Sequence, residues 1–190
     1  MGEASELHPL FLRLDGRTVV VVGAGTVAER KIAALIRAGA FVRVVAPSAT
    51  KSVAALASSS RIEWRARMFE DTDLDGAWLA FASTDDSSVQ RAVAEAARAR
   101  RVFLVAVDDI PNASAYSAAT VQRAPFTIAI SSGGEAPALS RLMREILESI
   151  LPEHEWVEAA RALREKWRAE RTPMESRFRE LVRAFKLRAQ

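Results

Sequence analysis

Residues 17 to 31 read Arg-Thr-Val-Val-Val-Val-Gly-Ala-Gly-Thr-Val-Ala-Glu-Arg-Lys, a β-branched run that breaks at two glycines and then turns helical. The pattern predicts a strand over 18–22, a tight turn, and a helix from Thr26. A continuous run of valines suits a strand covered on both faces. Gly23-Ala24-Gly25-Thr26-Val27-Ala28 has the G-x-G-x-x-(G/A) spacing of a dinucleotide-binding turn. In such a turn Gly23 permits the reversal, Gly25 lets a pyrophosphate approach the backbone, and Ala28 lets the helix lie close to the sheet. The free N–H groups at the helix start then attract the anion.

Working outward, the same rhythm repeats. The helix from Thr26 is expected to reach Ala38 and stop at Gly39, with strands over 41–46 and 61–65 and a helix over 50–58 between them. An apolar strand over 78–82 leads to Ser83-Thr84-Asp85-Asp86, which supplies helix caps before an Ala- and Arg-rich helix over 87–100. A further strand over 102–107 ends at Asp108-Asp109. Repeated strand-helix alternation argues for an α/β fold, a Rossmann-like parallel sheet covered on both faces. Beyond residue 112 the rhythm changes. Strands are expected over 116–122 and 126–131, joined through Arg123-Ala124-Pro125, and Ser131-Ser132-Gly133-Gly134 forms a second turn. Pro137 opens a helix to Leu151, Pro152 and Pro173 bracket an amphipathic helix, and a last helix spans 174–188. Leu163, Trp167, Phe178, Leu181, Val182 and Phe185 give the C-terminal helices an apolar side, read as core or partner interface. The organisation expected is a nucleotide-binding domain over 1–112, a connecting segment over 113–150, and a C-terminal helical domain over 151–190.

Composition narrows the function classes. The chain of 190 residues has no cysteine, which removes disulfide frameworks and thiolate metal sites and suits a reducing cytoplasm. The acidic start and the lack of a membrane-length apolar stretch argue against secretion and insertion. The net charge of +3 arises wholly in residues 151–190, which carry 10 basic and 7 acidic side chains. No basic block with interleaved aromatics points to nucleic acid. His8 and His154 stand far apart without thiol neighbours and read as surface or packing residues, so no metal site is expected.

In an open sheet of this kind ligands lie beyond the carboxyl ends of the strands. Those ends carry Gly23 to Thr26, Pro47-Ser48, Ser83-Thr84-Asp85, Asp108-Asp109 and, later, Ser131-Ser132. A typical NAD site places Asp or Glu about 20 residues beyond the glycines, on the ribose hydroxyls. Here Ala46-Pro47-Ser48 stands there instead, with Ser48 as the available substitute. Arg43 and Lys51 keep NADP open, although Arg43 is expected to point across the sheet. Asp108 follows a buried strand and reads either as an acid-base group beside the cofactor or as a turn aspartate capping backbone N–H groups. Asp85 and Asp86 read as helix caps. Ser132 sits in a turn rich in backbone donors, which can bind a carboxylate or phosphate or simply enter the Pro137 helix.

Taken in order, residues 23–31, Ala-Ser-Thr-Asp-Asp at 82–86, Val-Asp-Asp at 107–109 and Ser-Ser-Gly-Gly at 131–134, followed by a Pro-x-Leu-x-Arg helix, resemble the siroheme synthase N-terminal family. Its members are precorrin-2 dehydrogenases, some of them also sirohydrochlorin ferrochelatases. The resemblance implies that NAD accepts hydride from precorrin-2 to give sirohydrochlorin, in a homodimer formed through residues 113–150. It places the catalytic aspartate on Asp108, and nucleotide contacts on Thr26-Val27 and Pro47-Ser48, joined by Gly23, Gly25 and Thr84 at the strand ends. In bifunctional members the same aspartate assists insertion of Fe²⁺ as substrate. Ser132 matches a serine phosphorylated in some relatives and is carried over as a substrate-side residue. A uroporphyrinogen methyltransferase module is expected to be absent from these 190 residues. The substrate's carboxylates make the basic C-terminal helices a plausible clamp. Two other classes stay open: a module that binds NAD(H) and signals without catalysis, and a dehydrogenase of an unrelated small substrate.

Overall fold

Five short apolar runs pair side by side: β1 (Thr18–Val22), β2 (Phe41–Val45), β3 (Glu63–Arg65), β4 (Leu79–Ala82) and β5 (Phe103–Ala106). The computed structural model describes residues 6–107, 109–124, 126–151 and 155–184. In it the five strands form one sheet of order β3-β2-β1-β4-β5, with every pairing parallel. Three helices connect them: α1 (Thr26–Arg37), α2 (Lys51–Ser58) and α3 (Ser87–Arg100).

Strand periodicity explains how the core divides. Successive side chains point to opposite faces. Val19 and Val21 therefore join Val44, Phe81, Ala28, Ile32, Leu35 and Val53 on the α1–α2 side. Val20 and Val22 join Val45, Leu104, Val93, Ala94 and Ala97 on the α3 side. The all-apolar valine run is thus a consequence of burial on both faces. The expected α/β layering is what forms.

Two features depart from the expected reading. β3 has only three residues rather than the five expected over 61–65, because it is an edge strand and short, charged edges discourage pairing with another chain. The segment between β3 and β4 holds a 3₁₀ turn, Asp71–Leu74, whose Asp73 and Leu74 are buried. No apolar periodicity marks that turn.

The chain divides into two compact units, Met1–Ser117 and Ala118–Gln190. In the second, β6 (Ala119–Arg123) and β7 (Phe126–Ile130) make an antiparallel hairpin, followed by α4 (Pro137–Ile150), α5 (Glu155–Ala169) and α6 (Met174–Ala184). β6 starts three residues later than position 116, since Ala115 still packs against the core of the first unit. Arg123 donates through one guanidinium nitrogen to the Glu148 carbonyl (3.0 Å), satisfying a carbonyl of the last turn of α4. The Trp167 indole N–H donates to Glu180 (2.8 Å) and ties α5 to α6. Pro125, Pro152, His154 and Phe185 lie outside the described residues.

Candidate functional site

The strand order reverses between β1 and β4, so the crevice that such sheets offer to ligands opens above Val22 and Ala82. The turn leaving β1 is stitched on both sides. Gly23 N–H donates to the Val45 carbonyl (2.9 Å), and Ser83 N–H donates to the Val22 carbonyl (2.8 Å). Gly23 has φ +104°, a region L side chains rarely adopt; a Cβ there would overlap the Ser83 carbonyl oxygen and lie 2.7 Å from its carbon. Only glycine fits. A Cβ on Gly25 would meet nothing within 4 Å, so the space above that residue is open. Gly25 is the N-cap of α1 and has no side chain to cap it, which leaves the first N–H groups of the helix unpaired and aimed outward. Ala28, fully buried, lets the helix approach the sheet. Backbone donors, positive helix end and open space together fit a pyrophosphate.

Pro47 and Ser48 are exposed at the end of β2, next to this turn, and no carboxylate stands there. Ala46 is held from behind: its N–H donates to the Arg65 carbonyl (3.2 Å), and its carbonyl accepts from the Trp64 indole (3.1 Å). Arg43, as expected, points across the sheet and donates to Glu63 (2.9 Å) and to the Asp73 carbonyl (3.0 Å). At the end of β4 the Thr84 hydroxyl accepts from Asp86 N–H (3.2 Å). Asp86 is the N-cap of α3, accepting from the N–H groups of Ser88 (2.8 Å) and Val89 (3.2 Å). The Ser88 hydroxyl and these N–H groups hold its carboxyl below the usual range.

Two residues that the sequence reading passed over shape these loops. The Gln90 side-chain amide donates to the Thr84 carbonyl (2.6 Å) and to the Val107 carbonyl (3.4 Å), bridging the ends of β4 and β5. A polar residue in the first turn of α3, facing the strand ends, was its only signal. Asp73 is fully buried and accepts from Arg65 (2.6 Å), from both terminal nitrogens of Arg67 (2.7 and 2.8 Å) and from Glu70 N–H (2.9 Å). Burial alone would raise its pKa, but the hydrogen bonds from Arg67, Glu70 N–H and Arg65 more than reverse this and hold it at about 2. A carboxyl depressed on folding stabilises the native state above its unfolded pKa and ceases to do so as pH falls through the folded value. The melting temperature is therefore expected to drop between pH 3.8 and pH 2, and the drop to shrink in Asp73→Asn, as followed by thermal unfolding.

Gly23, Gly25, Thr26, Val27, Pro47, Ser48 and Thr84 thus sit at one end of one parallel sheet. Asp108 lies outside the described residues; its neighbour Val107 donates to the Ala82 carbonyl (3.1 Å). Asp109 accepts from the Asn112 amide (2.8 Å) in a turn. Ser132 belongs to the second unit, where its hydroxyl accepts from Ala136 N–H (3.0 Å) at the entry to α4. His8 is exposed, and no cluster of three or more metal-binding side chains occurs among the described residues.

This architecture defines an NAD(P)-binding domain of the doubly wound class. Residues 10–119 match the family described as "Putative NAD(P)-binding", and residues 123–150 match the one described as "Sirohaem biosynthesis protein central". The chain belongs to the siroheme synthase N-terminal family. It is 44% identical to siroheme synthase 3 of Aeromonas hydrophila over 90% of its own length and 37% of that protein. Against the siroheme synthase of Xylella fastidiosa identity is 47%, over 78% of this chain and 31% of the relative. The chain therefore spans about a third of the length of these curated relatives. Among solved structures, SirC, a precorrin-2 dehydrogenase, superposes with a TM-score of 0.74 at 21% identity, covering 93% of this chain and 88% of that one. At that identity the likeness speaks to the fold. No helix among the described residues is long and apolar enough to cross a membrane.

Proposed function

We propose that the chain is an NAD-dependent precorrin-2 dehydrogenase that forms sirohydrochlorin in siroheme biosynthesis. The observation that carries this reading is the union, in one chain, of a dinucleotide turn open above Gly25 with the sirohaem central segment at 123–150. When bound, NAD supplies a hydride acceptor. The chain's own part is to hold and orient. The unpaired N–H groups of Thr26 and Val27 take the pyrophosphate, Pro47 and Ser48 border the adenosine ribose, and Thr84 stands on the nicotinamide side, braced through its carbonyl by Gln90. Asp108, next after the anchored Val107, takes the proton that leaves the macrocycle as hydride departs. Ser132 serves the substrate side. Anaerobic precorrin-2 with NAD is expected to yield NADH and sirohydrochlorin in step with added protein. Nucleotide binding with no NADH formation would instead favour an NAD(H)-sensing module.

The names of the relatives support a second activity, insertion of Fe²⁺ into sirohydrochlorin. Its absorbance assay is run against an enzyme-free control, and equal rates remove it. A cytoplasmic setting accords with the absence of cysteine.

A homodimer formed through 113–150 completes the reading, with residues 1–112 as the nucleotide domain and 151–190 as the helical domain. α4 turns Ser140, Arg144 and Leu147 inward, while Leu139, Leu142, Met143, Ile146 and Ile150 form an outward stripe, each 42–63% exposed. This spacing is one helix face. An exposed apolar stripe of this length marks an interaction surface, so a second copy laid on it supplies burial that one chain lacks. Leu142→Glu is expected to convert the dimer to a monomer in analytical ultracentrifugation. A monomeric wild-type chain would remove the proposal.

A further inference from the structure

We infer that the ion cluster around Asp73 sets the nucleotide preference: it engages Arg43, Arg65 and Arg67, the arginines of β2, β3 and the loop after β3, so the site selects a dinucleotide whose adenosine ribose lacks a 2′-phosphate. This rests on the nucleotide-binding reading given above. The usual discriminating device is a carboxylate at the end of β2, which binds the ribose hydroxyls and repels a phosphate. Here that position reads Ala46-Pro47-Ser48. By composition the surroundings would invite the phosphate. Arg43 lies on β2, Arg65 is the last residue of β3 and pairs with Val45, and Arg67 follows two residues later. Paired strands run about 4.8 Å apart, so a guanidinium from Arg65 or Arg67 can reach the space beside Pro47 and Ser48.

All three are already engaged by carboxylates. Arg43 donates to Glu63 (2.9 Å) and the Asp73 carbonyl (3.0 Å). Arg65 donates to Glu63 (2.7 Å) and Asp73 (2.6 Å). Arg67 grips Asp73 through both terminal nitrogens and lies 3.7 Å from Glu70. Three guanidinium groups thus face three carboxylates, Glu63, Glu70 and Asp73, and the cluster is neutral. Asp73, fully buried, is its hub. A 2′-phosphate arriving here would shed water against a cluster with no net positive charge, or would have to draw a guanidinium away from a buried carboxylate, and both are unfavourable. Lys51, exposed at the start of α2, remains, but an ammonium in water is a strongly hydrated point charge and a weak substitute for a planar fork.

The test is calorimetric and needs no turnover: NAD, NADP, 5′-AMP and adenosine 2′,5′-bisphosphate are titrated into the full chain and into Asp73→Asn. The wild-type chain is expected to bind NADP at least about tenfold more weakly than NAD, a gap of about 1.4 kcal/mol. In Asp73→Asn, with the charge that neutralises Arg65 and Arg67 removed and the cluster left net positive, NADP and the bisphosphate should tighten about tenfold while NAD and 5′-AMP change less than about twofold, as fits a gained charge-assisted contact. Should that variant fail to fold, Glu63→Gln, at a half-exposed position, loosens Arg43 and Arg65 and should shift the same ratio in the same direction. An unchanged ratio in the folded variants, equal wild-type affinity for NAD and NADP, or a gain shared by both fragments overturns the inference. A wild-type chain that binds neither dinucleotide overturns the nucleotide reading itself, and this inference with it.

Discussion

Gly23→Ala is expected to destabilise the first unit by about 3–5 kcal/mol, through the overlap its methyl group would make with the end of β4 and the strained φ it would have to keep. The Ser83 carbonyl that the methyl would strike belongs to backbone held by the Ser83 N–H bond to Val22, so the neighbour cannot give way cheaply. For a chain of this size such a loss lowers the melting temperature by roughly 10 °C or more. Gly25→Ala should behave in the opposite manner. Its Cβ enters open space, so the melting temperature should hold, while NAD affinity falls at least about tenfold because the methyl occupies the path of the pyrophosphate to the backbone. The pair separates a glycine required by the fold from one required by the ligand. Calorimetry and thermal unfolding on both variants decide it, and normal NAD binding by Gly25→Ala would place the anion elsewhere.

Asp108→Ala is expected to lower NADH formation from precorrin-2 by about 10²- to 10⁴-fold, the usual worth of a positioned acid-base group. The dissociation constant for NAD should stay unchanged, because Asp108 is assigned to the macrocycle rather than the nucleotide. Asp108→Asn should be equally slow, since an amide keeps the shape but cannot take a proton. Wild-type turnover in either variant would remove Asp108 from the chemistry. A parallel loss of NAD affinity would recast it as a residue that shapes the nucleotide loop.

Much of the nucleotide half was legible because its signals are local. The valine run, the glycine spacing and Ala28 each follow from the backbone and the neighbouring sheet within a dozen residues, and the capping role of Asp86 from the helix start after it. Gln90 and Asp73 were not legible. Gln90 acts by bridging Thr84 and Val107, 17 residues from the latter, and Asp73 by gathering arginines from two strands and a loop. An aspartate in a polar stretch reads as exposed until its partners are known. The resemblance covered most of the chain, and the matches at 10–119 and 123–150 agree with the order of its motifs.

The sequence by itself determined the parallel sheet, the dinucleotide turn and the family, because hydrophobic period, glycine placement and short motifs are properties of consecutive residues. Only the tertiary structure decided that Gly23 abuts β4, that the arginines beside β2 are already paired, and that α4 leaves an apolar stripe uncovered. Each of these depends on which distant groups meet. Whether a charge is free or neutralised, and whether an apolar face is covered, is set by residues that chain order keeps apart.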